Sequence, residues 1–283
     1  MLPQRRLPEE LLLKADNYWK SFAEAALSSG LPVPDDLHII NTAKQVWAFS
    51  EFVAKNCVKE PGLLLDLLES GDLVKSYASG NYDRIVNNSV KEAQDHKQLG
   101  IILRRLRTRE MIRIAWRDLA QWSDLKETME DLSSLAEACL RGALSLLHPW
   151  QCQELGCPAD KEGSSQSLVI LGMGKLGAGE LNFSSDIDLI FAYPESGHTK
   201  DGPKIVTNEE FFARLCRKLI SVIGTITAGG IVFRVDIRLR PYGENGPLVL
   251  SFDAMEEYYQ SQGREWERYA MIKARPVVGG TDG

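Results

Sequence analysis

The chain has 283 residues, 44% of them hydrophobic and 25% charged, and a formal net charge of −6. This is the composition of a soluble globular protein with room for one large domain or two smaller ones, and the acidic balance argues against a general nucleic-acid binder. Five cysteines, an odd number of which only Cys152 and Cys157 lie close together, give no disulfide framework and point to a reducing, cytoplasmic setting. No run of apolar residues is long enough to cross a membrane. The N-terminal stretch with Arg5 and Arg6 is interrupted by Pro8, Glu9, Glu10, Lys14 and Asp16, which is not a signal-peptide pattern. His148, Cys152 and Cys157 could be drawn as a metal site, but three such residues without a second ligand pair carry little weight.

The first half reads as helices. Trp47, Phe49, Phe52 and Val53 stand near helical spacing, residues 99–122 form another helical pattern, and Leu125, Met129, Leu132, Leu135, Leu140, Leu144 and Leu147 follow a 3.6-residue period. Ser123 is expected to cap the helix that starts there, and Pro149 to stop it. Arg105, Arg109, Arg113 and Arg117 recur every fourth residue. They would either dock an acidic partner or form a solvated face paired with Glu110 or Asp118, and the solvated face is the preferred reading. Residues 149–166, PWQCQELGCPADKEGSSQ, read as a linker or long loop, which places a helical domain over 1–150 and a second domain over 151–283.

In the second part strands and helices mix. SLVILGM, DIDLIFAY and the alternating IVFRVDIRLR are strand candidates. TNEEFFARLCRKLISVIG is a helix with a Thr207/Glu210 capping box and Gly224 at its end. FDAMEEYYQSQ and REWERYAMIKA follow as helices, with Trp266, Tyr269 and Ala270 expected to pack. The fold class is α+β, a helical domain followed by a domain with a mixed sheet flanked by helices.

Gly172, Gly174 and Gly177 form a G-x-G-x-x-G turn straight after an apolar run. A dinucleotide-binding unit would need a crossover helix before the next strand, and only AGELNFSS separates Gly177 from Asp186, whereas such crossovers take about a dozen residues or more. Asp186 and Asp188 would share one face of a strand, where two neighbouring carboxylates repel unless a cation lies between them. Hard divalent ions, Mg²⁺ or Mn²⁺, suit such a site. Alternation in IVFRVDIRLR puts Arg234, Asp236, Arg238 and Arg240 on one face and offers Asp236 as a third carboxylate. The glycine turn, Lys175, Ser184 and Ser185 would then approach phosphate, and Arg238 and Arg240 would offset its charge. Each feature alone has a plain structural reading: aspartates cap loops, and Asp236 could pair with Arg234 or Arg238. Together they point to metal-dependent phosphoryl or nucleotidyl transfer.

At these residues the chain resembles the nucleotidyltransferase superfamily of DNA polymerase beta, whose pattern is a small turn with glycine, a spacer, D-x-D, and a third acid on a later strand. The position after the glycine is usually Gly or Ser in that pattern and is Lys175 here. Longer stretches, GMGKLGAGELNFSSDIDLIF, FRVDIRLRPYGENGPLVLSF, YYQSQGREWERYAMIKARPV and LRRLRTREMIRIAWRDL, resemble the bifunctional glutamine synthetase adenylyltransferase/adenylyl-removing family, and the wording is that of its N-terminal half. The resemblance implies a fragment of a longer natural chain. It also implies removal of AMP from a tyrosine of glutamine synthetase by phosphorolysis, releasing ADP, in the regulation of nitrogen assimilation. Asp186, Asp188 and Asp236 would be the catalytic, metal-binding residues. Gly174, Lys175, Gly177, Ser184, Ser185, Arg238, Arg240 and Lys273 would lie around phosphate and nucleotide. The implied partners are glutamine synthetase, a PII signalling protein, inorganic phosphate and an adenine nucleotide, with no nucleic acid and no membrane. The alternatives are an adenylyltransferase that adds AMP from ATP, or a catalytically silent regulatory module.

Overall fold

The computed structural model describes residues 8–279, so Arg5 and Arg6 lie outside the described residues. The chain divides into two compact units, one built from residues up to 78 with 107–131 and the other from 79–106 with 132 onward. The division passes through two long helices and not through the composition change near residue 150. Among the described residues no helix is long and apolar enough to cross a membrane.

The first unit is helical. It contains α1 (Glu9–Ser28), α2 (Leu37–Phe49), α3 (Glu51–Lys59), α4 (Gly62–Glu69), the later part of α6 (His96–Leu119) and the start of α7 (Leu125–Leu155). Ser50 ends α2 and caps α3 by accepting from the Val53 N–H at 3.3 Å, which is why the helical spacing of Trp47 to Val53 belongs to two helices and leaves Phe49 exposed. The core gathers Phe22, Trp47, Leu64, Leu67 and Trp116, with Trp47 and Trp116 edge to face at 6.5 Å. Each such fully buried side chain contributes about 1.5–3 kcal/mol. Asp124, not Ser123, caps α7: its carboxylate accepts from the Glu127 N–H at 2.8 Å.

The arginine stripe is neither solvated nor free for a partner from Arg109 to Arg117. Arg113 is fully buried, donates to Asp131 at 2.8 Å and to the Asp72 carbonyl at 2.9 Å, and lies over the Tyr77 ring. Arg109 is paired with Asp66, Asp72 and Glu110, and Arg117 with Glu127. A buried guanidinium persists only where acids and carbonyls satisfy it, and here most of those come from segments far away in the sequence.

The second unit holds α5 (Asn81–Val90), the first part of α6, most of α7 and the sheets. Pro149 does not stop α7. It sits inside the helix on an exposed position, and the helix runs on to Leu155. The stop is Gly156, at φ +77, where a side chain would meet the Lys200 carbonyl oxygen at 2.4 Å. The expected linker is therefore the end of a helix followed by β1 (Cys157–Ala159), which pairs with β4 (His198–Lys200). The main sheet contains β2 (Val169–Gly172), β3 (Ile187–Tyr193), β5 (Val235–Asp236), β6 (Val249–Ser251) and β7 (Arg275–Val278). Its order is β5-β3-β2-β7, and β6 also pairs with β3. β2 runs antiparallel to β3 and β7, while β5 and β6 run parallel to β3, so the sheet is mixed. The antiparallel β2–β3 pair removes the dinucleotide reading, because that unit requires parallel strands.

Helix α9 (Asn208–Gly224) is capped by Thr207, which accepts from the Glu210 N–H at 3.1 Å, and it buries Phe211, Phe212, Leu215, Leu219 and Ile223. Helices α10 (Phe252–Ser261) and α11 (Glu265–Ala270) follow β6. Trp266 and Tyr269 do not pack as expected: α11 has only six residues, and they are 51% and 77% exposed. Its inward residue is Glu267, which accepts from the Tyr258 hydroxyl at 2.8 Å.

Candidate functional site

Asp188 is the second residue of β3 and Asp236 the last of β5. These strands are parallel, and the register pairs Asp188 directly with Asp236. Residues facing each other across adjacent strands lie on one face of the sheet, so the two carboxylates are neighbours although 48 positions separate them in sequence. Ile187 and Leu189 turn the other way and are buried. Asp186 stands just before β3, where the Ile187 N–H donates to the Arg234 carbonyl at 2.8 Å and brings the approach to β5 alongside.

Two arginines attend this acid group. Arg234 pairs with Asp186 and also donates to the Ser184 carbonyl. Arg238 forks onto Asp236, its Nε at 2.8 Å from one carboxylate oxygen, and its backbone N–H donates to the other at 2.8 Å. Arg238 therefore holds the Asp236 carboxyl below its ordinary range, against the opposing effect of burial. Asp188 has no arginine fork on it. Burial, followed by the charges of Asp236 and Asp186, raises its pKa above the ordinary value of 3.8. Among the described residues the acids whose carboxylate oxygens all lie within 4.8 Å of one another are Asp160, Glu162 and Glu195, and Asp186, Asp188 and Asp236 do not form so tight a group.

The arginines do not come from the long alternating strand read from IVFRVDIRLR. β5 holds only Val235 and Asp236, and Arg238 lies in a turn. Arg240 is almost fully buried and donates to the carbonyls of Ile237 at 2.8 Å and Glu244 at 2.9 Å, so it fastens the loop that leads to β6. The strand stops early because β6 takes the next stretch of the same edge of β3.

The glycine turn lies beside Asp188. Helix α8 (Gly174–Ala178) begins at Gly174, at φ +52, where a side chain would come within 3.1 Å of an Asp188 carboxylate oxygen. The Met173 N–H donates to the Asp188 carbonyl at 2.9 Å, which fixes the turn against the strand. Lys175 is exposed on α8. Gly177 has a packing reason to be glycine: a Cβ there would lie 1.9 Å from the Lys273 carbonyl oxygen and 2.4 Å from that of Gly172. The Ser185 hydroxyl donates to Asn182 Oδ1 at 2.5 Å and closes the loop ahead of β3, and Ser184 is exposed and offers its carbonyl to Arg234. Lys273 pairs with Glu180 at 2.9 Å. Sequence reasoning assigned no role to Arg275, which donates to the Gly177 and Leu176 carbonyls at 3.1 and 3.3 Å and binds Glu137 at 2.5 Å. It holds the end of α8, and no local sequence signal marks that contact.

This donor set fits a hard divalent cation. All three side chains offer carboxylate oxygens, and the one without an arginine fork is the one whose charge burial and its neighbours disfavour. The sign of the pH effect follows. A raised native pKa means that the folded chain binds the Asp188 proton more tightly than the unfolded chain. Its stabilising contribution is complete below 3.8 and is lost as pH rises through the raised value. Asp188→Asn should therefore unfold at a higher temperature than wild type in EDTA at neutral pH, and the difference should close as pH falls toward about 4. Thermal unfolding across pH checks this, and a variant less stable than wild type at neutral pH would refute it.

A family model described as glutamate-ammonia ligase adenylyltransferase matches residues 40–282. The chain belongs to this family. Among relatives of the glutamate-ammonia ligase adenylyltransferase family, the chain is 52% identical over 275 residues to the bifunctional glutamine synthetase adenylyltransferase/adenylyl-removing enzyme of Nitrosococcus oceani, covering 97% of this chain and 28% of that one. The protein of the same description in Shewanella loihica is 44% identical over 278 residues, covering 98% and 28%, and that of Pseudomonas aeruginosa is 52% identical over 238 residues, covering 84% and 24%. The chain thus spans about a quarter of the length of the curated relatives it matches. The glutamate-ammonia ligase adenylyltransferase match contains Gly174, Asp186, Asp188 and Asp236.

Proposed function

We propose that this chain carries the adenylyl-removing activity, phosphorolysis of a tyrosine-linked AMP on glutamine synthetase with release of ADP, in the cytoplasm and under a PII signalling protein. The observation that carries a nucleotidyl-transfer site is the direct pairing of Asp188 with Asp236 beside the Gly174 turn. Removal is preferred to addition because LNFSSDIDLIF has the wording of the family's N-terminal half.

Asp186, Asp188 and Asp236 would hold Mg²⁺ or Mn²⁺, and the bound ion would supply Lewis-acid stabilisation of the phosphate charge. An oxygen of inorganic phosphate attacks the α-phosphorus of the tyrosine-linked AMP. The bond to the tyrosine oxygen breaks, the tyrosine leaves, and ADP forms. Phosphate is already a good nucleophile, which favours a ligand role for Asp236 over that of a base. The first N–H groups of α8 have no partner within their helix and, with Lys175, are suited to an anion. Arg234 and Arg238 are exposed and change partner at little cost, so once their aspartates engage the ion they are placed to offset phosphate charge. Arg240 remains committed to its loop.

The test pairs two substrates. With adenylylated glutamine synthetase, phosphate and Mg²⁺, the chain should release ADP in proportion to phosphate. With unmodified synthetase and ATP it should incorporate little AMP. Robust incorporation without release would replace this reading with the adenylyltransferase one.

A further inference from the structure

A cleft of about 620 Å³ lies within the second unit, away from the aspartates in sequence and on different elements. One wall is the start of α6, with His96, Lys97 and Arg104. The other is the last two turns of α9, with Arg217 and Lys218, continued by the turn at residues 225–229. Five basic or titratable nitrogen side chains line it and no carboxylate does. Its size is that of a small-molecule site.

Each cation has a defined situation. Arg104 donates to the Thr225 carbonyl at 3.1 Å and so offsets the negative end of α9. Its guanidinium lies over Gly100, where a side chain would meet Nη1 at 2.7 Å. Burial lowers its pKa. Lys218 is paired with Glu154 at 2.9 Å, outside the cleft lining. His96 packs its ring on Trp150 at 5.4 Å. Lys97 and Arg217 are exposed and face the cleft from opposite walls. The first turn of α6, a helix of 24 residues, adds its positive end, and Ser221 and Thr227 add hydroxyls. The apolar part of the lining comes from Ile101, which is exposed, and Val222, which is buried.

From this arrangement of cations on two facing helices beside apolar side chains, we propose that the α6–α9 cleft binds a small organic phosphate carrying at least two negative charges. A dianion balances the charges of Lys97 and Arg217 together, whereas a single carboxylate leaves one positive charge over, and Ile101 and Val222 offer apolar contact to the organic part. The cleft is also joined to the aspartates. The Phe233 N–H donates to the Ile223 carbonyl at 3.2 Å at the end of α9, and Val235, the next residue but one, opens β5.

The test uses inorganic pyrophosphate as the probe, added to the full chain in EDTA and followed by backbone amide shifts. Without a divalent ion the aspartate site repels this anion, so the experiment does not depend on the proposed catalytic function. Saturable shifts should concentrate at residues 96–104 and 217–229. Lys97→Glu with Arg217→Glu should weaken binding by about 100-fold, roughly tenfold per lost charged contact. Glu195→Gln, outside the cleft lining and the three aspartates, should leave it unchanged. Shifts confined to residues 174–179, unsaturable binding, or equal affinity in the double variant would each overturn the proposal. The double variant changes two exposed side chains, and its thermal unfolding serves as the check on folding.

Discussion

On the proposed adenylyl-removing function, Asp188→Asn should release ADP from adenylylated glutamine synthetase at about one thousandth of the wild-type rate or less. The change removes the one carboxylate of the three that has no arginine fork on it and that faces Asp236 across the strand pair. An ion held by the remaining two would compete with Arg234 for Asp186 and with Arg238 for Asp236. Losing a centrally placed oxygen ligand removes several kcal/mol of transition-state stabilisation, and about 4 kcal/mol corresponds to about 10³ in rate. The fold should survive, because the variant also removes a carboxylate whose charged form burial disfavours. A variant that keeps more than about a tenth of wild-type turnover would place the essential ligand elsewhere.

Gly177→Ala should cost about 3 kcal/mol or more in stability, at the upper end of overpacking effects. Its methyl would lie 1.9 Å from one backbone carbonyl oxygen and 2.4 Å from another, and neither can rotate away as a side chain could. The segment at Lys273 would have to leave α8, taking with it the Arg275 bonds to Leu176 and Gly177. Gly179→Ala is the control. It has open space around it and a φ of +70, so only backbone strain of about 1–2 kcal/mol applies. Urea denaturation of both variants distinguishes the two glycines. Equal small losses would return Gly177 to the phosphate-approach reading made from the motif alone.

These two positions show what the sequence carried. The apolar strand at 169–172, the strand after it and the helix at Thr207 are local patterns and were legible, although that second strand begins at Ile187 and leaves Asp186 just outside it. The pairing of Asp188 with Asp236 was legible as chemistry, because strand alternation placed each acid on a face. The register that joins them is a long-range fact. The alternation of IVFRVDIRLR overran its strand because nothing local says that β6 will occupy the same edge of β3. Pro149 was read by its intrinsic preference, yet an exposed helix position absorbs the lost hydrogen bond. The buried arginines were misread because most of their partners, Asp66, Asp72 and Asp131 among them, lie at 18 to 43 residues' remove in the chain. Trp266 and Tyr269 kept helical spacing on a helix too short to bury it.

The divalent-metal reading of the aspartates is tested most directly by titrating the chain with Mn²⁺ and following the free ion by its electron paramagnetic resonance. Wild type should bind saturably. Asp188→Asn should lose that binding by about 100-fold or more, as expected for a missing carboxylate ligand at a carboxylate-only site. Glu195→Gln, which alters the surface acidic trio instead, should bind as wild type does. Undiminished Mn²⁺ binding by Asp188→Asn, together with its loss in Glu195→Gln, would contradict the assignment.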